Sequence, residues 1–191
     1  EDAITVSREL ELTLTGKSCG QEERAPMCGI PYHAVDGYLN RLISKGYRVA
    51  ICEQVEDPKA AKGLVKREVT RIVTPGTNLN TQAMDETRNN YLMGIAFLDG
   101  FFGVSTVDVT TGDYYVTQVE ELRQAMDEII KFAPSELLYN ATLELSGIDL
   151  SDIKNRLNIA LTPLADWYFD EEICQKELKQ HFKVGTLDGL G

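Results

Sequence analysis

Two short turn signals impose a strand meander on the second half of the chain. Asp99-Gly100 and Thr111-Gly112-Asp113 separate three apolar and aromatic runs, which span residues 91–97, 101–109 and 114–119. Asp-Gly between two such runs is a strong hairpin signal, because the two-residue turn requires positive φ angles. The sequence therefore predicts three consecutive antiparallel strands.

The residues after the meander alternate between helical and extended patterns. Helices are predicted over 120–132, 151–157 and 170–182, and short strands over 135–139 and 158–161. The resulting order, βββαβαβα, is an antiparallel meander that continues into crossover units. This is the order that ribonuclease-H-like domains use, so the predicted class is α/β.

The first half of the chain has shorter elements. Apolar residues at helical spacing predict the end of a helix over residues 3–10 and a helix over 35–43, with a left-handed cap at Gly46. A buried strand is predicted over 47–52, and Asp57-Pro58 predicts a short helix through Lys62.

The run from Val65 to Thr74 is predicted to be an extended strand. Valine and arginine alternate in it, so period two would place Arg67 and Arg71 on one face, where they could reach an anionic partner. Pro75-Gly76 predicts a tight turn with positive φ at Gly76. The polar residues 78–90 are predicted to form a linker, which divides the chain into domains at 1–77 and 91–191.

The charge is unevenly distributed. Residues 1–88 hold 12 basic and 13 acidic side chains, whereas residues 89–191 hold 7 and 17, which gives net charges of −1 and −10. The second half is therefore expected to repel a phosphate backbone. A nucleic acid would bind the basic segment of the first half, which contains Lys59, Lys62, Lys66, Arg67 and Arg71.

Cofactor and metal sites are not predicted. The four cysteines and two histidines do not cluster at the short spacings of zinc sites, and no phosphate-binding glycine loop precedes a helix. No apolar run approaches the roughly 18 residues of a membrane helix. Reduced thiols and a cytoplasmic location are expected.

A metal-dependent nuclease of the ribonuclease H type is the alternative function. Two-metal chemistry needs several converging carboxylates. The first strand of the meander contains no acid, Asp99 lies in a turn, and Asp108 lies on the second strand beside two threonines. Catalysis is therefore not expected.

A nearly continuous set of motifs in residues 1–77 resembles the mismatch-recognition domain of the MutS family of DNA mismatch-repair proteins. The motifs are Cys28-Gly-Ile-Pro-Tyr-His33, Tyr38-Leu-x-x-Leu42, Val49-Ala-Ile-Cys-Glu-Gln54, Asp57-Pro58, Lys62-Gly63 and Arg67-x-Val-x-Arg-Ile-Val-Thr-Pro-Gly-Thr77. Residues 90–191 resemble the connector domain of that family more loosely, at Asn90-Tyr91-Leu92, Asp108-x-Thr-Thr-Gly112 and Pro134-Ser-Glu-Leu-Leu-Tyr139.

The resemblance implies two α/β domains, a mixed-sheet recognition domain and a ribonuclease-H-like connector. It also implies DNA-contacting residues. Lys17 and Arg67 match positions where the family places basic residues on the DNA backbone, and Pro26 and Met27 match a loop that packs in the groove near the mismatch. The family's Phe-x-Glu wedge is expected a few residues upstream of Glu1, so the chain is expected to be a fragment that lacks it.

The resemblance further implies the partners of the whole protein. The parent would be a homodimeric DNA-dependent ATPase that binds mismatched duplex DNA, with ATP and Mg²⁺ in a domain outside this chain. Its connector domain would contact a MutL-type partner. The fragment itself is expected to contribute DNA-backbone binding and partner docking without being an enzyme.

Overall fold

The structure is a computed structural model, which describes residues 1–20, 23–57, 63, 65–78 and 89–190. It divides the chain into two units, Glu1–Arg88 and Asn89–Gly191. The predicted helix after Asp57, with Lys59 and Lys62, and most of the predicted linker 78–90 lie outside the described residues.

The first unit contains two helices and two small antiparallel sheets. Its elements are α1 (Asp2–Leu10), β1 (Thr15–Lys17), β2 (Ala25–Met27), α2 (Val35–Ser44), β3 (Val49–Gln54) and β4 (Arg67–Val73). Strand β1 pairs only with β2, and β3 only with β4, among the described residues.

Helix α2 confirms the predicted helix of the first half. Its apolar face buries Leu39, Leu42 and Ile43, and the first and last of these pack with Val73 of β4. Gly46 follows the helix with φ of +82°, as the predicted left-handed cap requires. The core of this unit is thus one helix face against one face of the β3–β4 ladder.

A β-bulge at Thr70 makes the period-two prediction for β4 wrong. Ile51 lies opposite Arg71, but the next residue of β3, Cys52, lies opposite Val69, so Thr70 is the extra residue. Directly opposed residues share a face, and consecutive residues of β3 point to opposite faces. Arg67 therefore lies on the face of Cys52, whereas Arg71 lies on the other face with Val73.

The prediction of positive φ at Gly76 is also wrong. Pro75–Thr77 form a single 3₁₀ turn, in which φ is negative, and Gly76 is buried. The turn begins at Thr74, whose backbone and hydroxyl both hydrogen-bond Thr77.

The second unit contains a five-stranded sheet in the order β7-β6-β5-β8-β9. Its elements are β5 (Tyr91–Leu98), β6 (Phe101–Asp108), β7 (Tyr114–Val119), α3 (Leu122–Phe132), β8 (Glu136–Tyr139), α4 (Leu150–Arg156), β9 (Ala160–Pro163) and α5 (Glu171–Phe182). β5, β6 and β7 form the predicted antiparallel meander, and β8 and β9 add in parallel. This order is consistent with a ribonuclease-H-like domain.

The predicted hairpin turn is confirmed. Asp99 and Gly100 have φ of +50° and +86°, the left-handed values that a two-residue turn between twisted strands requires. Strand β9 begins two residues later than predicted, because Asn158 takes a φ of +55° just after α4 ends. The backbone becomes extended only after that reversal.

The core of the second unit lies between the sheet and the helices α3 and α4. Ala125 and Ile129 of α3 are fully buried with Met93 and Ile95 of β5 and Leu137 of β8. α3 begins with a capping box between Glu121 and Gln124, and it ends before Pro134. None of the helices in the described ranges is both long and apolar enough to cross a membrane.

Candidate nucleic-acid interface

The β1–β2 ladder brings together three of the four residues predicted to contact DNA. Thr15 lies opposite Met27, Gly16 opposite Pro26, and Lys17 opposite Ala25. Both Pro26 and Met27 are exposed to solvent. One short ladder therefore presents Lys17 and Met27 on one face and Pro26 on the other.

The local sequence explains why this ladder is short and closely packed. Pro26 has no backbone N–H, so proline is compatible only with a strand whose edge is open. The Thr15 hydroxyl donates a 2.9 Å hydrogen bond to the carbonyl of Met27. At Gly16, an added Cβ would lie 3.0 Å from the Cβ of Arg24, so glycine leaves room for that arginine.

Arg67, the fourth predicted residue, lies on a different sheet. It is the first residue of β4, opposite Gln54 at the end of β3, and it is exposed. Its guanidinium forms no ion pair within the described part of the chain, whereas the neighbouring Lys66 forms a 2.5 Å ion pair with Glu68. Among the described residues, the five N–H donors of Arg67 thus have no ion-pair partner, and they suit an anionic ligand.

Arg24 is a further cation that the sequence analysis did not single out. It is exposed, it directly precedes β2, and its side chain lies beside Gly16 of β1. It forms no ion pair with any residue that the structure describes. The only sequence signal was its position two residues before Pro26. The three-residue strands are too short for period two to reveal the pairing that places Arg24 next to Gly16.

Asp99 and Asp108, the two acids considered for a nuclease site, do not converge. Asp99 and Asp108 lie at opposite ends of β6, roughly 25–30 Å apart at about 3.4 Å per residue. Two-metal catalysis needs carboxylates that converge on ions about 4 Å apart. No group of three or more candidate metal ligands occurs in the described ranges.

Asp108 instead organises the turn between β6 and β7. It is fully buried, and its Oδ1 accepts hydrogen bonds from the backbone N–H of Thr110 at 2.8 Å and from the Thr110 hydroxyl at 2.6 Å. Burial alone would raise the pKa of Asp108, but the hydrogen bonds from Thr110 and Thr111 outweigh burial and lower it. Its role is structural.

Two family models match the chain. One, described as MutS domain I, matches residues 1–82, and the other, described as MutS domain II, matches residues 90–191.

Proteins named DNA mismatch repair protein MutS align with nearly the whole chain. The protein of Lachnoclostridium phytofermentans is 68% identical over 191 residues, which is 100% of this chain and 20% of that protein. The protein of Alkaliphilus metalliredigens is 47% identical, with 100% and 22% covered. The protein of Ruminiclostridium cellulolyticum is 48% identical, with 98% and 22% covered. The chain thus spans about a fifth of the length of the relatives it matches.

Proposed function

The chain belongs to the MutS family, and from that membership we propose that it supplies DNA-backbone contacts in mismatch recognition by a longer repair protein. Lys17 and Arg67 would contact phosphates, while Pro26 and Met27 would pack in the groove. The observation that carries this proposal is the β1–β2 ladder, which sets Lys17 opposite Ala25 and on the same face as the exposed Met27.

We assign the domains as 1–77 for recognition, 78–90 as a linker and 91–191 as the connector. The net charge of −10 on residues 89–191 favours a protein partner over a phosphate backbone, which supports docking of a MutL-type protein there. The whole protein would be a cytoplasmic homodimer and a DNA-dependent ATPase. Its ATP and Mg²⁺ would bind in a domain outside these residues, so this chain alone would not be an enzyme.

The test is fluorescence anisotropy of labelled duplexes, one fully matched and one with a G·T mismatch, at several salt concentrations. Phosphate contacts give affinity, whereas discrimination needs groups that read bases or exploit a deformable site. We therefore expect weak binding of both duplexes by these 191 residues, with a Kd towards roughly 10⁻⁴ M. Two phosphate contacts predict a log–log salt slope of about −2, and a third from Arg24 would make it about −3.

Single-residue variants separate the effect of the proposed contacts from the effect of net charge. Arg67→Ala and Lys17→Ala should each lower affinity equally for both duplexes and reduce the salt slope by about 1. Arg71→Ala is the matched control, because it removes the same charge from the opposite face of the same strand. Equal losses for Arg67→Ala and Arg71→Ala, or a tenfold preference for the mismatch, would contradict the proposal.

A further inference from the structure

The two edges of the five-stranded sheet differ in how well they are protected. The β9 edge is four residues long and ends at Pro163, which cannot donate to a further strand. The β7 edge has six residues, Tyr-Tyr-Val-Thr-Gln-Val, without a charge, proline or glycine. Edge strands normally carry such features to prevent pairing with other chains. Within the part of the chain that the structure describes, β7 pairs only with β6, so its outer edge can accept an added strand.

The backbone groups of β7 that face outward can be identified from its register. The N–H of Asp108 donates to the carbonyl of Asp113, and bonded pairs alternate with non-bonded pairs along an antiparallel ladder. Thr106–Tyr115 and Val104–Thr117 are therefore bonded pairs. Tyr114, Val116 and Gln118 direct their N–H and C=O groups away from β6, and the Val116 side chain is 69% exposed.

A small groove lies beside this edge, between β7 and α3. It has a volume of about 180 Å³, and its lining includes Tyr115, Thr117 and Phe132. The rings of Tyr115 and Phe132 lie 5.3 Å apart, and Glu128 at the rim is paired with Lys131 at 3.0 Å. This groove suits an apolar side chain of an added strand.

A second groove, of about 360 Å³, lies at the end of β7 and is acidic. Gln118, Glu120 and Glu121 line it. The Glu121 side chain caps α3, whereas Glu120 is exposed and has no ion pair within the described ranges. Thr117 and Glu120 are roughly 10 Å apart along the chain, so one extended peptide could reach both grooves.

We propose that the β7 edge binds an extended basic peptide segment of a partner protein by strand addition. Main-chain hydrogen bonds to Tyr114, Val116 and Gln118 would hold the peptide, and the two grooves would select its side chains. The charge around the β7 edge indicates which kind of partner binds there. A second copy of this unit would bring another net charge of −10 to an edge flanked by Asp113, Glu120 and Glu121, whereas a lysine or arginine segment complements it. This site is independent of the DNA contacts proposed for the first unit.

The probe is a fluorescent hexapeptide of alternating lysine and valine, titrated into the 191-residue chain, with the glutamate–valine hexapeptide as its matched control. We expect saturable binding of the lysine peptide only. Hydrogen exchange should slow at the amides of Tyr114, Val116 and Gln118 when the peptide is present. Exchange at Tyr115 and Thr117, which already bond to β6, should change little.

Two variants test the mode of binding. Val116→Pro removes one outward donor without removing a bond to β6, and should weaken binding roughly fivefold, whereas Val116→Thr should not. Glu120→Lys should weaken binding severalfold at low salt, whereas Glu177→Lys on α5, which lines neither groove, should have little effect. Circular dichroism verifies that each variant is folded. If Val116→Pro is unfolded, the effect of Glu120→Lys on peptide binding alone tests the proposal.

Three results would overturn the proposal. The first is that the glutamate peptide binds as tightly as the lysine peptide, and the second is that neither Glu120→Lys nor a folded Val116→Pro weakens binding of the lysine peptide. The third is that sedimentation shows the chain to self-associate through β7 and that this association excludes the peptide. Because duplex binding is measured separately, failure here would leave the DNA proposal unaffected.

Discussion

Truncation of Ile129 to alanine should selectively destabilise the second unit. Ile129 is fully buried in the core beneath α3. Ile→Ala removes about three carbons at roughly 0.8 kcal/mol each, and the cavity left behind adds to that loss. We therefore expect a cost of about 3 kcal/mol, which corresponds to a fall in Tm of roughly 12–20 °C for a unit of this size.

The neighbouring residue provides the control. Ile130 is 56% exposed, so Ile130→Ala loses little buried area, and alanine's better helix propensity offsets part of that loss. We expect its cost to stay within about 0.5 kcal/mol. Unfolding can be followed by fluorescence of Trp167, because it is the chain's single tryptophan and lies in the second unit. Equal costs for the two variants would show that α3 does not present Ile129 to the sheet.

Three further predictions concern the turns, the boundary and the buried acid. Gly46→Ala should lower the free energy of unfolding by about 1–2 kcal/mol because φ at Gly46 is +82°. Gly37→Ala within α2 should raise it by about 0.5–1 kcal/mol, because alanine has the better helix propensity. Urea unfolding measures both changes. Limited proteolysis should first cut within 78–90, and early cuts within 91–119 would place the boundary elsewhere. Because the pKa of Asp108 is lowered, its stabilising contribution is complete above about pH 3.9 and is lost as the pH falls through the lower folded value. Asp108→Asn should therefore flatten the acid limb of a pH–stability curve, and Mg²⁺-dependent cleavage of a hybrid duplex that this variant abolished would contradict a structural role.

Local patterns predicted the elements whose packing is also local. The Asp99-Gly100 turn and the apolar face of α2 are each specified within about ten residues, and both were confirmed. The order of the second unit followed because its strands are separated by clear turn or helix signals. Strands β1 and β2 were missed, since three residues containing Gly16 or Pro26 show no strand pattern.

The candidate site was predictable only in part. Lys17, Pro26, Met27 and Arg67 came from a family resemblance, and no pattern in their own spacing would have grouped them. The relative orientation of Arg67 and Arg71 depends on a bulge, which is decided by pairing with β3 and leaves no trace in the composition of β4. The position of Arg24 depends on the pairing of β1 with β2, which the sequence does not predict.

The bulge at Thr70 also has a consequence for chain length. Every other residue of β4 already has the partner that an unbulged six-residue strand would give it, from Val73 opposite Val49 to Arg67 opposite Gln54. Deletion of Thr70 would therefore leave each side chain on its present face and remove only the local bend. A relative that lacks a residue at position 70 would thus keep the same arrangement of arginines. A relative that lacks Arg71 instead would place Thr70 opposite Ile51 and lose the arginine of that face.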